Sequence, residues 1–225
     1  MGSISAIPDP FVVSAPPLPP FRILVVGGSY AGLSAALNLQ DLCNGQSPRC
    51  GSPPDKGDTP VTPLPIAVEI TVVDERDGFY HVIGSPLALA DDTYAAKAWV
   101  KYDDIAALHS SNGNTIRHFH GSVQLIDMKK KKASFVARGS GMETTEVAYD
   151  YLVAASGLRR VWPVVPQSLR RKQYLFEVEE HITATTKGRH GVVVVGGGEF
   201  TMTGHHTAPL LTRCRCRRDR NGRRT

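Results

Sequence analysis

Six residues, Gly27-Gly28-Ser29-Tyr30-Ala31-Gly32, follow the run Arg22-Ile23-Leu24-Val25-Val26 and open a segment with apolar residues at helical spacing (Ala31, Ala35, Leu39, Leu42). A buried strand that turns through glycines into a helix leaves backbone N–H groups free at the positive end of the helix dipole. That arrangement suits a diphosphate. Gly27 is expected to make the tight turn, the small residue at 29 to let a ligand approach the backbone, and Gly32 to let the helix lie close on the strand. Ser29 departs from the usual third-position glycine by the mildest enlargement available. Glycine turns also arise for steric reasons alone, so the motif needs a second group beside it.

Asp74 is that group. It ends the next strand-like run, Ala67-Val68-Glu69-Ile70-Thr71-Val72-Val73, where a dinucleotide site places an acid to accept hydrogen bonds from ribose hydroxyls. Its separation from Gly27 is 47 residues, but setting aside the Pro- and Gly-rich stretch 44–65 leaves 25, near the roughly 20 of such sites. The competing reading of Asp74 is a solvated turn residue; strand, glycine turn, helix, strand and acid in register favour the ribose.

Two further glycine-ended strands recur. Tyr149-Asp150-Tyr151-Leu152-Val153-Ala154-Ala155-Ser156-Gly157 closes on small residues that admit a ligand against the backbone or simply pack tightly. Val192-Val193-Val194-Val195-Gly196-Gly197-Gly198 begins a second strand–turn unit, but Thr201 stands where its close-packing glycine belongs, and no acid-tipped strand follows. Other chemistries find less support. The adjacent His205-His206 pair lacks the spacing of metal ligands, and no C-x-x-C pair is present. Ser29 sits in no G-x-S-x-G elbow, and Cys214-x-Cys216 lies within an arginine run. No residue is assigned as a general base, and no metal site is expected.

The elements that must position these groups read as α/β. Strands are expected at 22–26, 67–73, 115–120, 122–128, 133–138, 144–150, 151–155 and 191–195. Helices are expected at 31–42 and 175–187, with 84–109 largely helical and Asp103 capping a short helix through His109. Lys129 to Lys132 and Gly139 to Gly141 read as turns, the lysines as a solvated hairpin tip. Residues 1–20, carrying six prolines, are expected to be disordered.

The 225 residues carry a net charge of +5, but seven arginines crowd residues 211–225 and leave the body slightly acidic. A specific nucleic-acid binder is therefore not expected. No apolar run of membrane-spanning length occurs, the N-terminus has no secretory pattern, and four cysteines form no disulfide scaffold. The expectation is a cytoplasmic protein, with room for a peripheral membrane contact or a mitochondrial association.

At these residues the sequence resembles the flavin-dependent NAD(P)H oxidoreductases related to apoptosis-inducing factor 2 and ferroptosis suppressor protein, within the pyridine nucleotide-disulfide oxidoreductase superfamily. The matching pieces are Val25 to Leu33, Val72 to His81, Tyr94 to Tyr102, 149–157 and Val193 to Gly198. The resemblance implies a three-layer, FAD-binding Rossmann-type domain with a small β meander over 21–160. Over 161–200 it implies a linker helix and the start of an NAD(P)H-binding Rossmann unit, ahead of an irregular basic tail over 201–225. It implies that Gly27, Gly28, Ser29, Tyr30, Ala31 and Gly32 hold the FAD pyrophosphate, that Asp74 holds the ribose with Arg76 beside it, and that Lys97 lies near the flavin. Val123 would offer backbone to the adenine, Ser156 and Gly157 would line the FAD site, and Gly196 and Gly198 would open the NAD(P)H unit. NAD(P)H is the implied donor, and a quinone-like or other small aromatic molecule the implied acceptor. The family's chains run longer, and the Arg/Cys-rich stretch after Phe200 departs from their pattern as a wrong-frame or intron translation does. The expectation is thus a C-terminally truncated member. The alternatives are a tailoring oxidoreductase of a small-molecule pathway and a non-catalytic fragment.

Overall fold

The computed structural model describes residues 19–49, 62–64, 66–109, 115–139, 143–158, 160, 162 and 165–187. The expected strand at 191–195, Gly196, Gly198, the His205-His206 pair, the basic tail and most of the Pro-rich N-terminus lie outside these residues, as do 50–61 and 65.

β-Branched residues build the centre. Strands β1 (Phe21–Val26) and β2 (Val68–Asp74) run parallel, with Phe21 opposite Val68 and Val26 opposite Val73, joined through helix α1 (Tyr30–Cys43). β5 (Thr115–Asp127) lies parallel to β2, and β8 (Tyr151–Ala154) lies parallel to β1 on its other side. β6 (Lys132–Ala137) and β7 (Thr144–Ala148) extend the sheet antiparallel, giving the order β7-β6-β5-β2-β1-β8.

Strand alternation assigns each face a partner layer. Ile23, Val25, Ile70 and Val72 pack with Ala36 and Cys43 on the α1 side. Leu24 and Val73, one residue out of phase, pack with Ala133 and Phe135 of the curled β5–β7 meander and with Tyr149 just after it. Helix, sheet and meander are the three layers of a Rossmann-type α/β fold. A separate cluster forms beside them. The ribbon of β3 (Gly78–Tyr80) and β4 (Trp99–Lys101) supplies Tyr80 and Trp99. The short helices α2 (Ser85–Ala88) and α3 (Asp92–Ala98) supply Ala88, Ala95 and Ala98, and α4 (Arg171–Thr186) supplies Tyr174 and Val178.

Several expectations are corrected. The separate strands 115–120 and 122–128 are one strand. β5 pairs with β2 through His120 and with β6 from Gly121 onward, and a bulge between Val123 and Leu125 re-aims it. Residues 84–109 are largely helical as expected, but in short pieces: α2 and α3 come first, β4 interrupts them, and 3-10 turns at Tyr102–Asp104 and Ala106–His109 follow it. Asp103 sits inside the first of these turns and caps nothing there. The capping acid is Asp91, whose carboxylate accepts the Tyr94 N–H at 2.7 Å at the start of α3. Lys132 belongs to β6 rather than to the turn. α4 begins four residues earlier than the apolar pattern suggests.

The 44–65 segment returns close to its start. Leu64 N–H donates to the Cys43 carbonyl at 3.2 Å. Arg49 makes a two-pronged pair with the buried Asp41 carboxylate at 2.6 and 3.0 Å.

Candidate functional site at the carboxyl ends of the parallel strands

Parallel α/β sheets bind ligands beyond the carboxyl ends of their strands, and the predicted residues gather there. Gly27 leaves β1 with φ +98°, a region that disfavours side chains, and donates to the Val73 carbonyl at 2.8 Å. A Cβ on Gly27 would collide with the Ala155 carbonyl just beyond β8, and one on Gly32 would collide with the Gly27 carbonyl. Both positions therefore require glycine: one so that the turn lies against the 155–157 segment, the other so that α1 enters directly behind the turn. Ser156, at the same place, is exposed, as is Gly157 with φ +70°.

Asp74 closes the constellation. Its Oδ2 accepts the Gly28 N–H at 2.6 Å and its Oδ1 accepts the Arg76 N–H at 2.7 Å. The end of β2 thus grips the turn that leaves β1. Burial raises the Asp74 carboxyl above its ordinary pKa, while the Gly28 and Arg76 N–H bonds and the Arg76 charge pull the other way. Ser29 occupies the N-cap of α1 in extended conformation without a side-chain capping bond, and the first turn holds no acid. The helix therefore begins with N–H groups that its own side chains leave available, beside a carboxylate whose lone pairs are only partly used. That chemistry suits a diphosphate carrying a sugar.

Tyr30 stands at the first turn of α1. Its hydroxyl pairs with His81 Nδ1 at 2.6 Å and its ring meets Phe79 edge-on. Ala31 is exposed in the same turn. Arg76 lies beside Asp74, with Nη2 donating to the Pro166 carbonyl at 3.3 Å and its guanidinium 6.0 Å from the Trp99 ring centre, and its buried Nε has no partner. Val123 is part of the meander, opposite Phe135. Lys97 stands exposed on α3 and shares no hydrogen bond or ion pair with the turn. An open cleft of about 940 Å³ is lined by Arg138, Arg170, Lys172, Phe176, Glu177 and neighbours, and none of the predicted site residues lines it.

Three supporting residues lie outside the predicted set. Tyr102, 2% exposed, donates its hydroxyl to the Gly28 carbonyl at 2.8 Å, and its ring centre lies 3.9 Å from that of the half-buried His118. Asp77 accepts the Trp99 indole N–H at 2.9 Å and the Arg171 backbone N–H at 3.0 Å, so it caps α4 from across the ribbon. Arg171 donates to the carbonyls of Ala96 and Trp99, at 2.8 and 3.1 Å, where α3 ends. Asp77 alone carried a sequence signal, as an acid two residues before an aromatic ribbon; the others depend on long-range contacts. Among the described residues, no three His, Cys, Asp or Glu side chains gather as metal ligands, and no helix is long and apolar enough to cross a membrane.

The profile of a family described as pyridine nucleotide-disulphide oxidoreductase matches residues 21–217. Oxidoreductase OXR1 of Ajellomyces capsulatus is 48% identical over 181 residues, which are 80% of this chain and 38% of that one. Apoptosis-inducing factor homolog B of Dictyostelium discoideum is 23% identical over 79% of this chain and 36% of its own. Ferroptosis suppressor protein 1 of Xenopus tropicalis is 22% identical over 79% of this chain and 37% of its own. The chain spans under two-fifths of the length of these relatives.

Proposed function

The chain belongs to the pyridine nucleotide-disulphide oxidoreductase family, and on that premise we propose that it is the FAD-holding part of an NAD(P)H-dependent oxidoreductase that passes electrons to a quinone-like or other small aromatic acceptor. The observation that carries this reading is the 2.6 Å bond from the Gly28 N–H to Asp74 Oδ2, beside the uncapped start of α1. The strand-end acid and the glycine turn, 46 residues apart, form one receptor.

In this reading the N–H groups at the start of α1 hold the FAD diphosphate, and Asp74 accepts the hydroxyls of the adenosine ribose with lone pairs that Gly28 and Arg76 leave free. Gly27 and Gly32 let the turn and the start of α1 lie tightly on their own neighbours, which keeps those N–H groups at the mouth. Ser156 and Gly157 line the other wall, Val123 offers backbone to the adenine, and Lys97 supplies positive charge to the flavin. Gly196 and Gly198 begin the NAD(P)H-binding unit. Bound flavin would supply two-electron chemistry between the nicotinamide and the acceptor. The kinship with apoptosis-inducing-factor-like and ferroptosis-suppressor-like enzymes is part of the proposal, supported by relatives at 22–23% identity.

The test is direct. The purified chain is expected to carry a flavin absorbance through gel filtration and to bleach on addition of NADH. Folded protein that gives no calorimetric heat with either FAD or ADP overturns the reading.

A further inference from the structure

Two successive peptide units of the glycine turn are each held by a different side chain. The Gly27–Gly28 unit is held through its N–H by Asp74, at 2.6 Å. The Gly28–Ser29 unit is held through its carbonyl by the Tyr102 hydroxyl, at 2.8 Å. In a trans peptide the C=O and N–H point in opposite directions. With the Gly28 carbonyl drawn inward to the buried Tyr102, the Ser29 N–H faces the other way, out at the mouth of α1.

We propose that Tyr102 is a positioning residue of the diphosphate-binding turn, aiming the Ser29 N–H at the anion by holding the Gly28 carbonyl. The inference rests on the FAD reading above and deepens it. Three features make Tyr102 a fixed clamp rather than a bystander. It is 2% exposed. Its ring is packed against His118 at 3.9 Å, and its own N–H is tied to the Asp77 carbonyl at 3.3 Å. The fit at Gly28 is also close, because a Cβ there would collide with the Tyr102 hydroxyl. Only glycine lets the clamp reach the carbonyl. The second glycine of the motif is thus explained by Tyr102.

The experiment compares the wild-type chain with Tyr102→Phe, which keeps the ring and removes the hydroxyl. Calorimetry with ADP and with adenosine is run beside thermal unfolding. A clamp acting on the diphosphate predicts that ADP affinity falls about tenfold, the loss of one charge-assisted hydrogen bond, while adenosine affinity stays within about twofold. Unchanged ADP affinity overturns the proposal, and so does a parallel loss for ADP and adenosine, which marks general loosening of the site. A wild type that binds neither FAD nor ADP fails the FAD reading itself and takes the clamp with it, an outcome distinct from both. An observation on wild type alone stands in if the variant does not fold. In ¹⁵N-labelled protein titrated with ADP, the Ser29 amide is expected to move downfield while the Gly28 amide, already bonded to Asp74, moves little. The opposite pattern overturns the assignment.

Discussion

Asp74 answers to two donors at once, and its removal should be felt in both stability and binding. Asp74→Ala leaves the Gly28 and Arg76 N–H groups without their acceptor. It is expected to cost about 1–3 kcal/mol in urea unfolding and to abolish measurable ADP heat. Asp74→Asn keeps an acceptor oxygen for one of the two donors and should fall between. His118 provides a pH signature. Burial holds its pKa down at about 4 from an ordinary 6.5, with Asp103 and Asp77 opposing and His120 assisting. The unfolded chain then binds more protons than the folded one between those values, so stability rises with pH across the window and is complete above it. After allowance for its partial solvent access, the contribution is about 2 kcal/mol. His118→Phe keeps a ring under Tyr102 and removes a buried, unpartnered Nε2. Its chemical denaturation midpoint should vary less between pH 4 and 6.5 than that of wild type.

Between elements, the satellite cluster is fastened by Asp77 and Arg171 rather than by apolar contact alone. Asp77→Ala removes the acceptor for Trp99 and the cap of α4 together. It should destabilise by about 2 kcal/mol, and hydrogen exchange is expected to rise first in α4. The same elements show why part of the fold was illegible. β1, α1 and β2 carry dense β-branched runs, a glycine turn and helical periodicity, each strong over a short window. Their pairing brought Asp74 to Gly28 as the spacing implied. β3 and β4 are three residues each, too short for any alternation to register. Gly121 reads as a break between 115–120 and 122–128, whereas it is needed where β5 passes from β2 to β6, since a Cβ would meet the Val136 carbonyl at 2.7 Å. Tyr102 looks like any core aromatic until its hydroxyl is placed 74 residues from its own position in the chain.

For the molecule as a whole, the 44–65 segment is a test of how little a long connection need cost. Its ends meet through the Leu64–Cys43 hydrogen bond, and Arg49 is anchored on Asp41. Replacing 50–61 with a short Gly/Ser linker should leave the melting temperature within a few degrees, because closure entropy grows only slowly with loop length. Deleting Arg49 as well should lower it further, since the buried Asp41 loses its counter-charge. β5 sets the opposite rule for the other half. One unbroken backbone carries His118 under the Tyr102 ring and, five residues on, Val123 into the meander. An extra residue at the 128–131 hairpin tip can be swallowed locally. One inserted between Phe119 and Val123 would rotate everything downstream onto the wrong face, so the floor of one layer and the lining of another share a single phase and must drift, or stay, together.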